Sequence, residues 1–222
     1  MFALMNNLAK QGLFFLNKKK VLLFIFFIFF TKVATSQNQL IPNNCFSIRS
    51  EEYRDRHSSG INNVTSWKAI NTVDYYQKAL DTIDIVGLTT DMVFEYIYCN
   101  LDTETQPMHS YNFSITLFGN IKDYALSFLL FDTSQVNYID EFTIKQLNSS
   151  LSSSYELFDL SNSKRTKHKK AHWNTYMISI VPTKKHNMFL LGNCTQVSSK
   201  KKYVYVKSVS LFDTNSKSRT LR

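Results

Sequence analysis

The sequence predicts a mostly-β domain of antiparallel strands, closed as a β-barrel with one amphipathic N-terminal helix, with a two-sheet β-sandwich as the alternative. In residues 110–119, SYNFSITLFG, the apolar Phe113, Ile115 and Leu117 alternate with polar neighbours. This period of two is typical of a half-buried antiparallel strand. Up to residue 212, further β-branched and aromatic segments recur between polar turn sequences such as GNIKD and PTKKHN. Regular spacing of this kind is typical of barrels and sandwiches.

The first 36 residues have the pattern of a signal peptide. Three lysines at 18–20 precede a ten-residue apolar run at 21–30, and the small residues A-T-S follow at 34–36. Ten residues suit the apolar core of a signal peptide, about 7–15 residues, better than a membrane-spanning helix of roughly 20. We therefore expect residues 1–36 to be cleaved from a secreted, extracellular protein, with a retained anchor as the open alternative.

Residues 66–81, SWKAINTVDYYQKALD, have apolar positions at helical spacing. Trp67, Ile70, Val73 and Leu80 recur three or four positions apart or at multiples of that interval. This period predicts an amphipathic helix that covers one face of the sheet structure.

The predicted domain boundaries follow from these patterns. A polar N-terminal arm occupies residues 37–65, a single β-barrel domain residues 66–212, and a basic tail residues 213–222. The predicted strands cover residues 93–101, 110–119, 123–131, 138–147, 173–181, 186–194 and 202–212, with 154–160 as a possible eighth.

Charge is distributed unevenly along the chain. The formal net charge of +9 includes five lysines of the predicted signal peptide, so the remainder carries +4. Residues 37–163 have a net charge of −9, whereas residues 164–222 have a net charge of +13. This asymmetry predicts either several solvated basic loops or a surface that attracts an anionic glycan or a membrane surface. We expect no nucleic-acid partner.

Three cysteines, Cys45, Cys99 and Cys194, follow the predicted signal peptide. One disulfide is expected in an oxidising compartment. Cys99 and Cys194 each lie near the end of a predicted strand, so we predict that they form this bond. A bond between Cys45 and Cys194 is the alternative.

Four N-x-S/T sequences permit glycosylation. We predict Asn63, Asn112 and Asn148 as glycosylation sites. Asn112 falls on the polar face of its predicted strand. Asn193 is the least favourable acceptor, because the next residue is the disulfide candidate Cys194.

The sequence contains none of the nucleotide-binding, hydrolase or metalloprotease motifs, and no C-x-x-C pair. Its five histidines are scattered and have no metal-ligand spacing. We therefore expect no catalytic residues, no metal site and no cofactor, and we do not expect an enzyme.

Aromatic residues recur in nearly every predicted strand. They are expected either to pack an ordinary core or to line an apolar ligand cavity, which needs aromatic walls and few polar groups. Glu95, within the aromatic strand VFEYIY, would attract a cation or an amine if it pointed inward, or would face water if it pointed outward. The candidate ligand-binding residues are Trp67, Tyr76, Glu95, Tyr96, Phe113 and Phe128.

Two stretches resemble the secreted arthropod lipocalins typified by tick histamine-binding proteins. The first combines SWKAINTVDYYQKALDT with FEYIYCNLDTETQPMHSYNFSI, and the second is residues 176–211. The positions that match the lipocalin pattern are Trp67, Lys68, Ala69, Ile70, Tyr75, Tyr76 and Cys99. The chain departs from it by lacking a glycine two positions before Trp67 and by having three cysteines where four are common.

This resemblance implies an eight-stranded barrel with a cavity for one small ligand. The expected function is then a secreted binding protein that carries or sequesters a small hydrophobic or amine ligand. The alternative function is a secreted or surface β-sandwich glycoprotein that binds anionic partners through a basic C-terminal face.

Overall fold

Eleven β-strands make up most of the regular structure in the described part of the computed structural model. The described residues are 38–47, 60–61, 64–76, 83–90, 94–135, 155–167, 172–195 and 197–215. The strands are β1 (Lys68–Ile70), β2 (Asp74–Tyr76), β3 (Ile85–Thr89), β4 (Tyr96–Asn100), β5 (Tyr111–Phe118), β6 (Ser127–Phe131), β7 (Tyr155–Asp159), β8 (Lys164–Lys167), β9 (Trp173–Ile180), β10 (Met188–Gly192) and β11 (Tyr203–Asp213). Two 3₁₀ turns, Ile121–Asp123 and Thr133–Gln135, accompany them.

The strands form two sheets rather than one closed barrel. A five-stranded sheet has the order β1-β4-β10-β6-β7, and a six-stranded sheet has the order β2-β3-β11-β5-β9-β8. Every strand pair is antiparallel. The predicted antiparallel β class and the two-sheet alternative are confirmed, whereas the predicted closed barrel is wrong.

The barrel does not close because consecutive strands at both edges pair with different sheets. β1 and β2 are separated by only three residues, yet β1 pairs with β4 and β2 with β3. Likewise β7 pairs with β6 and β8 with β9. The chain crosses between the sheets at these two edges without continuing the hydrogen-bonded ladder that a barrel requires.

The predicted helix over residues 66–81 is also wrong for the part that the structure describes. Lys68–Ile70 and Asp74–Tyr76 are strands, and residues 77–82 lie outside the described residues. Ser66 and Asn71 have positive φ angles of 73° and 66°. These two left-handed residues reverse the chain direction between short extended segments, so buried side chains recur at a spacing that resembles the helical period.

Apolar side chains of both sheets meet in one interior core. Along β5, buried and half-buried residues alternate over all eight positions, which confirms the predicted period of two. Phe113 of this strand stacks on Phe128 of the opposite sheet with ring centroids 4.2 Å apart. Phe189 lies 5.9 Å from Phe113 and 5.4 Å from Phe128. This ring cluster holds the two sheets face to face, as in a sandwich.

The described part of the predicted N-terminal arm packs against the sheets. Leu40, Ile41 and Phe46 are buried, and the Leu40 amide donates to the Leu211 carbonyl at 2.8 Å. Phe46 also packs against Trp67, with ring centroids 5.1 Å apart. Residues 38–47 therefore contribute to the core, whereas residues 48–59 lie outside the described part.

One carboxylate fastens the β9–β10 loop to β7. Glu156 Oε1 accepts hydrogen bonds from the Thr183 amide at 2.7 Å, the Thr183 hydroxyl at 2.9 Å and the Lys184 amide at 3.1 Å. His186 Nε2, on a side chain that is only 1% exposed, lies 3.0 Å from the same oxygen. Burial raises the pKa of Glu156, but the hydrogen bonds from His186 and Thr183 outweigh burial and lower the pKa below its ordinary value.

Truncating Phe128 tests the importance of the ring cluster. We expect Phe128→Ala to lower the free energy of unfolding by about 3–5 kcal/mol, because it leaves a cavity between the sheets. Leu157→Ala removes a side chain that is 39% exposed on β7, and should cost no more than about 0.5 kcal/mol. Urea denaturation measures both, and similar losses in the two variants would contradict this account of the core.

Glu156→Gln tests the carboxylate and its pH dependence. The lowered pKa means that ionised Glu156 stabilises the fold fully above its unfolded pKa of about 4.3, and that this contribution disappears as pH falls through the folded value. We expect the wild-type chain to exceed the variant by about 1–3 kcal/mol near neutral pH. The difference should shrink towards zero at an acidic pH below the folded pKa, where the carboxyl is protonated in both states. Denaturant titrations at both pH values check this, and a pH-independent difference would exclude a charge-dependent role.

Candidate functional site

The six predicted ligand-binding residues do not line one common pocket. Phe113 and Phe128 are fully buried in the interior ring cluster. Tyr96 belongs to a second buried cluster on the opposite face of the five-stranded sheet, and Tyr76 is 38% exposed on the outer face of the other sheet. The contact between the core rings means that side chains fill the position where a ligand cavity was expected.

Trp67 borders a surface groove as well as the core. The groove has a volume of about 690 Å³ and runs beside the edge strand β1. The other residues that line it include Thr65, Ser66, Lys68, Tyr98, Asn100 and Met188. The Trp67 indole N–H donates to the Asn43 carbonyl at 3.1 Å, so the chain itself holds this side chain in place.

Glu95 is buried but satisfied by the backbone. Its side chain is 6% exposed, and Oε2 accepts from the Thr89 amide at 2.6 Å. Burial raises the pKa of Glu95, and the hydrogen bond from Thr89 opposes this effect. The carboxylate therefore stabilises the connection between β3 and β4 through this hydrogen bond, which is a structural role. Asp140 and Glu141 lie outside the described residues.

The predicted disulfide between Cys99 and Cys194 is not formed, and none of the three cysteines takes part in a disulfide. Cys99 pairs with Phe189, whereas Cys194 lies five residues farther along the chain, just beyond β10. Five residues of extended chain span about 16 Å, and a disulfide needs Cα atoms about 4.4–6.8 Å apart. The two thiols also lie on opposite faces of the five-stranded sheet, Cys99 in the interior cluster and Cys194 in the second cluster.

Two of the four glycosylation sequences fall on described residues. Asn112 is half-buried on the outer face of β5, where its Oδ1 accepts from the Ser179 hydroxyl at 2.8 Å. Asn193 is fully buried, and its Nδ2 donates to the carbonyls of Thr90 and Val197. Asn193 is thus inaccessible in the folded chain, in agreement with its weak sequence context. Asn63 and Asn148 lie outside the described residues.

Five exposed lysines come together at one end of the sandwich, which we name the basic end. The Lys201 amide donates to the Asp123 carbonyl at 2.7 Å, which joins the β10–β11 loop to the 3₁₀ turn after β5. Lys167 pairs with Asn174, whose Nδ2 donates to the Gly119 carbonyl at the end of β5. The exposed lysines of the basic end are Lys122, Lys167, Lys200, Lys201 and Lys202.

The described C-terminal basic residues do not form one face, in contrast to the sequence-based expectation, whereas residues 168–171 and 216–222 lie outside the described part. Lys184 and Lys185 lie in the β9–β10 loop at the opposite end of the sandwich. That end also carries Asp102, Glu104, Asp132, Glu156 and Asp213. At the basic end, the exposed lysines outnumber the two acidic residues that are not buried, Asp123 and Asp159. Charge is therefore separated between the two ends of the described structure.

A cluster of tyrosines lies on the outer face of the six-stranded sheet, and we name it the tyrosine face. It comprises Tyr76 of β2 with Tyr203 and Tyr205 of β11, grouped around Asp74. The Tyr203 hydroxyl donates to Asp74 Oδ2 at 2.5 Å, and the Tyr76 hydroxyl donates to the same oxygen at 3.1 Å. The ring centroids of Tyr203 and Tyr205 are 5.1 Å apart at 72°, and those of Tyr76 and Tyr205 are 5.9 Å apart at 65°.

Gly87 permits this arrangement. Tyr203 and Asp74 belong to strands on either side of β3, so the tyrosine must cross that strand to reach the carboxylate. A Cβ atom at position 87 would lie 2.7 Å from two ring carbons of Tyr203. Burial raises the pKa of Tyr203, and the hydrogen bond to Asp74 raises it further. The hydroxyl therefore stays protonated as a donor at neutral pH.

Within the described residues, no group of three or more histidine, cysteine, aspartate or glutamate side chains is placed to hold a metal ion. A search of the same residues for helices with the length and hydropathy of a membrane span finds none.

Comparison with known proteins finds distant structural similarity only. No protein-family model matches the chain, and no curated protein matches it either. It is similar to a family 22 carbohydrate-binding module of Clostridium thermocellum Xyn10B, with 10% identity, a TM-score of 0.40, and coverage of 82% of this chain and 97% of the module. An adhesin domain of Lys-gingipain from Porphyromonas gingivalis gives 9% identity, a TM-score of 0.35, and coverage of 66% and 90%.

A carbohydrate-binding module of family 29 gives 10% identity, a TM-score of 0.35, and coverage of 71% of this chain and 86% of the module. The chain spans only about a fifth of a bacteriophage tailspike domain to which it is also similar. Similarity at these identities and TM-scores assigns no function, and the two-sheet architecture rests on the strand pairing of the chain itself. None of these comparisons tests the resemblance to arthropod lipocalins, which stays a prediction.

Sequence reasoning selected Tyr76 but missed its neighbours in the tyrosine face. The signal for Tyr203 and Tyr205 is present in YVYV, where two tyrosines alternate with two valines and so face away from them. The valines are buried, and the tyrosines are half-buried. The proximity of Asp74, more than 120 positions away, depends on strand order and has no sequence signal.

Thiol labelling tests the burial of the cysteines. Cys45 is exposed and the other two are buried; burial raises the pKa of Cys99, and raises that of Cys194 to about 12. Because the thiolate is the reactive form, we expect one rapidly reacting thiol in the native chain and three after denaturation. Cys45→Ser should abolish the rapid reaction. Fewer than three thiols in the denatured, unreduced chain would show a disulfide and contradict the structure.

Proposed function

We propose that this chain is an extracellular, non-catalytic binding module that attaches to an anionic glycan through the basic end. The observation that carries the proposal is the convergence of five exposed lysines from three separate parts of the chain, Lys122, Lys167 and the run 200–202. An array of like charges at one end raises the local potential and attracts a polyanion over about 8 Å, the screening length in physiological salt.

The positions of these lysines support a binding role: Lys122 and the run 200–202 lie in connections between strands, and Lys167 ends the edge strand β8. Connections at the end of a sandwich run over the surface, so their exposed side chains can contact a partner, and the buried Ile121 anchors the connection that carries Lys122. The Lys201 amide and the Lys202 carbonyl are both engaged in backbone hydrogen bonds, which holds this part of the β10–β11 loop in a defined position. Preorganised charges lose less conformational freedom on binding.

The expectation of a small hydrophobic or amine ligand in the interior is less well supported. Phe113, Phe128 and Phe189 are in mutual contact where such a ligand would lie. Secretion, which rests on the signal-peptide pattern of residues 1–36, and the lack of catalysis are parts of the proposal.

Heparin chromatography tests the basic end. Lys200→Gln/Lys201→Gln removes two of its charges, and Lys184→Gln/Lys185→Gln removes two exposed charges from the opposite end as a matched control. At about 1 kcal/mol for each lysine near an anionic surface, we expect the first variant to bind heparin up to about 30-fold more weakly. The control should elute close to the wild-type chain, and thermal unfolding should be unchanged in both.

Two outcomes would count against the proposal. Equal losses in the two variants would show ordinary cation exchange by the whole protein instead of a site. Binding to vesicles that contain phosphatidylserine, without retention by heparin, would indicate a membrane surface as the partner and would exclude the glycan.

A further inference from the structure

The tyrosine face has a construction that the core does not require. Its side chains point away from the interior, opposite the buried Val204 and Val206. Tyr76 is 38% exposed, and Tyr203 and Tyr205 each keep part of their surface in solvent. Covering this exposed aromatic surface with a partner is favourable, because it removes apolar area from water.

The ring of Tyr205 stands at a steep angle to the other two rings of the tyrosine face. Because there is no Cβ at Gly87, the Tyr203 ring extends across β3 until its hydroxyl reaches Asp74. Tyr205 stands at 72° to Tyr203 and at 65° to Tyr76. Two ring planes at a steep angle can contact two sides of a small ring-shaped ligand at once.

Polar groups lie directly beside these rings. The hydroxyls of Tyr76 and Tyr203 are 3.3 Å apart, and both donate to Asp74 Oδ2. Asp74 Oδ1 makes no hydrogen bond to any described residue, so it can accept one from a ligand. The tyrosine oxygens, each with further lone pairs, can accept hydrogen bonds as well. Aromatic walls with a few fixed polar groups are the usual composition of a small-ligand site.

We propose that the tyrosine face binds a neutral saccharide, with a sugar ring packed on Tyr203 and Tyr205 and its hydroxyl groups hydrogen-bonded to Asp74 and Tyr76. The C–H groups of a sugar ring carry a partial positive charge and pack well on the negative face of an aromatic ring. This inference goes beyond the proposed function, because the site differs from the basic end and its ligand needs no charge.

A saccharide fits the tyrosine face better than an organic cation. Asp74 Oδ2 already accepts two tyrosine hydroxyls, which reduces the negative charge available to an ammonium group. Lys202 adjoins Tyr203 in the chain and belongs to the basic end, so the neighbouring potential repels cations. The ring centroids, at 5.1 and 5.9 Å, also place the rings in contact with each other, leaving no aromatic cage around a cation.

Titration of the full chain with neutral hexasaccharides tests the inference. The probes are cellohexaose, mannohexaose, xylohexaose and chitohexaose at up to about 10 mM, which exceeds a millimolar Kd tenfold. Calorimetry measures affinity, and tetramethylammonium chloride serves as the cation probe. We expect at least one hexasaccharide to bind, and Tyr205→Ala to weaken that binding at least tenfold.

Matched variants separate the site from general effects on folding. Tyr203→Phe keeps the ring but loses the hydrogen bond to Asp74, so it should weaken binding less than Tyr205→Ala does. Tyr155→Ala, a half-buried tyrosine on β7 of the other sheet, should leave binding unchanged. Lys200→Gln/Lys201→Gln should also leave it unchanged, so that failure of this site is distinguishable from failure of the basic end. Thermal unfolding verifies that each variant is folded.

Three outcomes would overturn the inference. The first is the absence of binding by all four hexasaccharides. The second is binding that survives Tyr205→Ala in a folded variant. The third is saturable binding of tetramethylammonium, lost in Tyr205→Ala, without binding of any hexasaccharide, which would identify the tyrosine face as a cation site.

Discussion

The contact of aromatic rings across the two sheets is the constraint on which the remaining structure depends. Phe113 and Phe128 come from opposite sheets and stack with centroids 4.2 Å apart, and Phe189 completes the cluster. Because protein interiors are packed as densely as organic crystals, rings in this contact leave no space for a ligand between them. The interior therefore stabilises the fold, and the surfaces that remain open to a partner are the outer ones.

The separation of the sheets decides where those outer surfaces are. Both edges are places where the chain crosses from one sheet to the other, so the connections gather at the two ends of the sandwich. One end collects the five exposed lysines of the basic end, and the other carries half of the described acidic residues together with Lys184 and Lys185. The exposed edge strand β8 is short and charged, which also protects the sheet from pairing with another chain.

A single glycine shapes the outer face of the six-stranded sheet. With any other residue at position 87, Tyr203 could not lie across β3 and reach Asp74. The hydrogen bonds at Asp74 then fix two of the three tyrosines relative to each other. Gly87 thus has a packing role on the surface, where glycine in a strand interior would otherwise weaken the sheet.

Local sequence determined the β class and much of the strand layout. The alternation in β5 predicted its buried face correctly, because side chains in a strand point alternately to the two faces. The predicted segments at 173–181, 186–194 and 202–212 correspond to β9, β10 and β11. The signal was weaker for β8, whose four residues are all exposed, because an edge strand without a buried face shows no hydrophobic period.

Tertiary structure alone decided between barrel and sandwich, because that choice depends on which strands pair across long sequence distances. Long-range pairing also explains why the helix predicted at 66–81 is wrong. Two short strands and two left-handed residues there place buried side chains at intervals that resemble the helical period. Long-range pairing likewise explains the cysteines: both thiols lie near strand ends, but only the pairing register shows that Cys99 and Cys194 occupy opposite faces of one sheet. The sequence determined that the chain carries many lysines and tyrosines, and the strand order decided which of them share a surface.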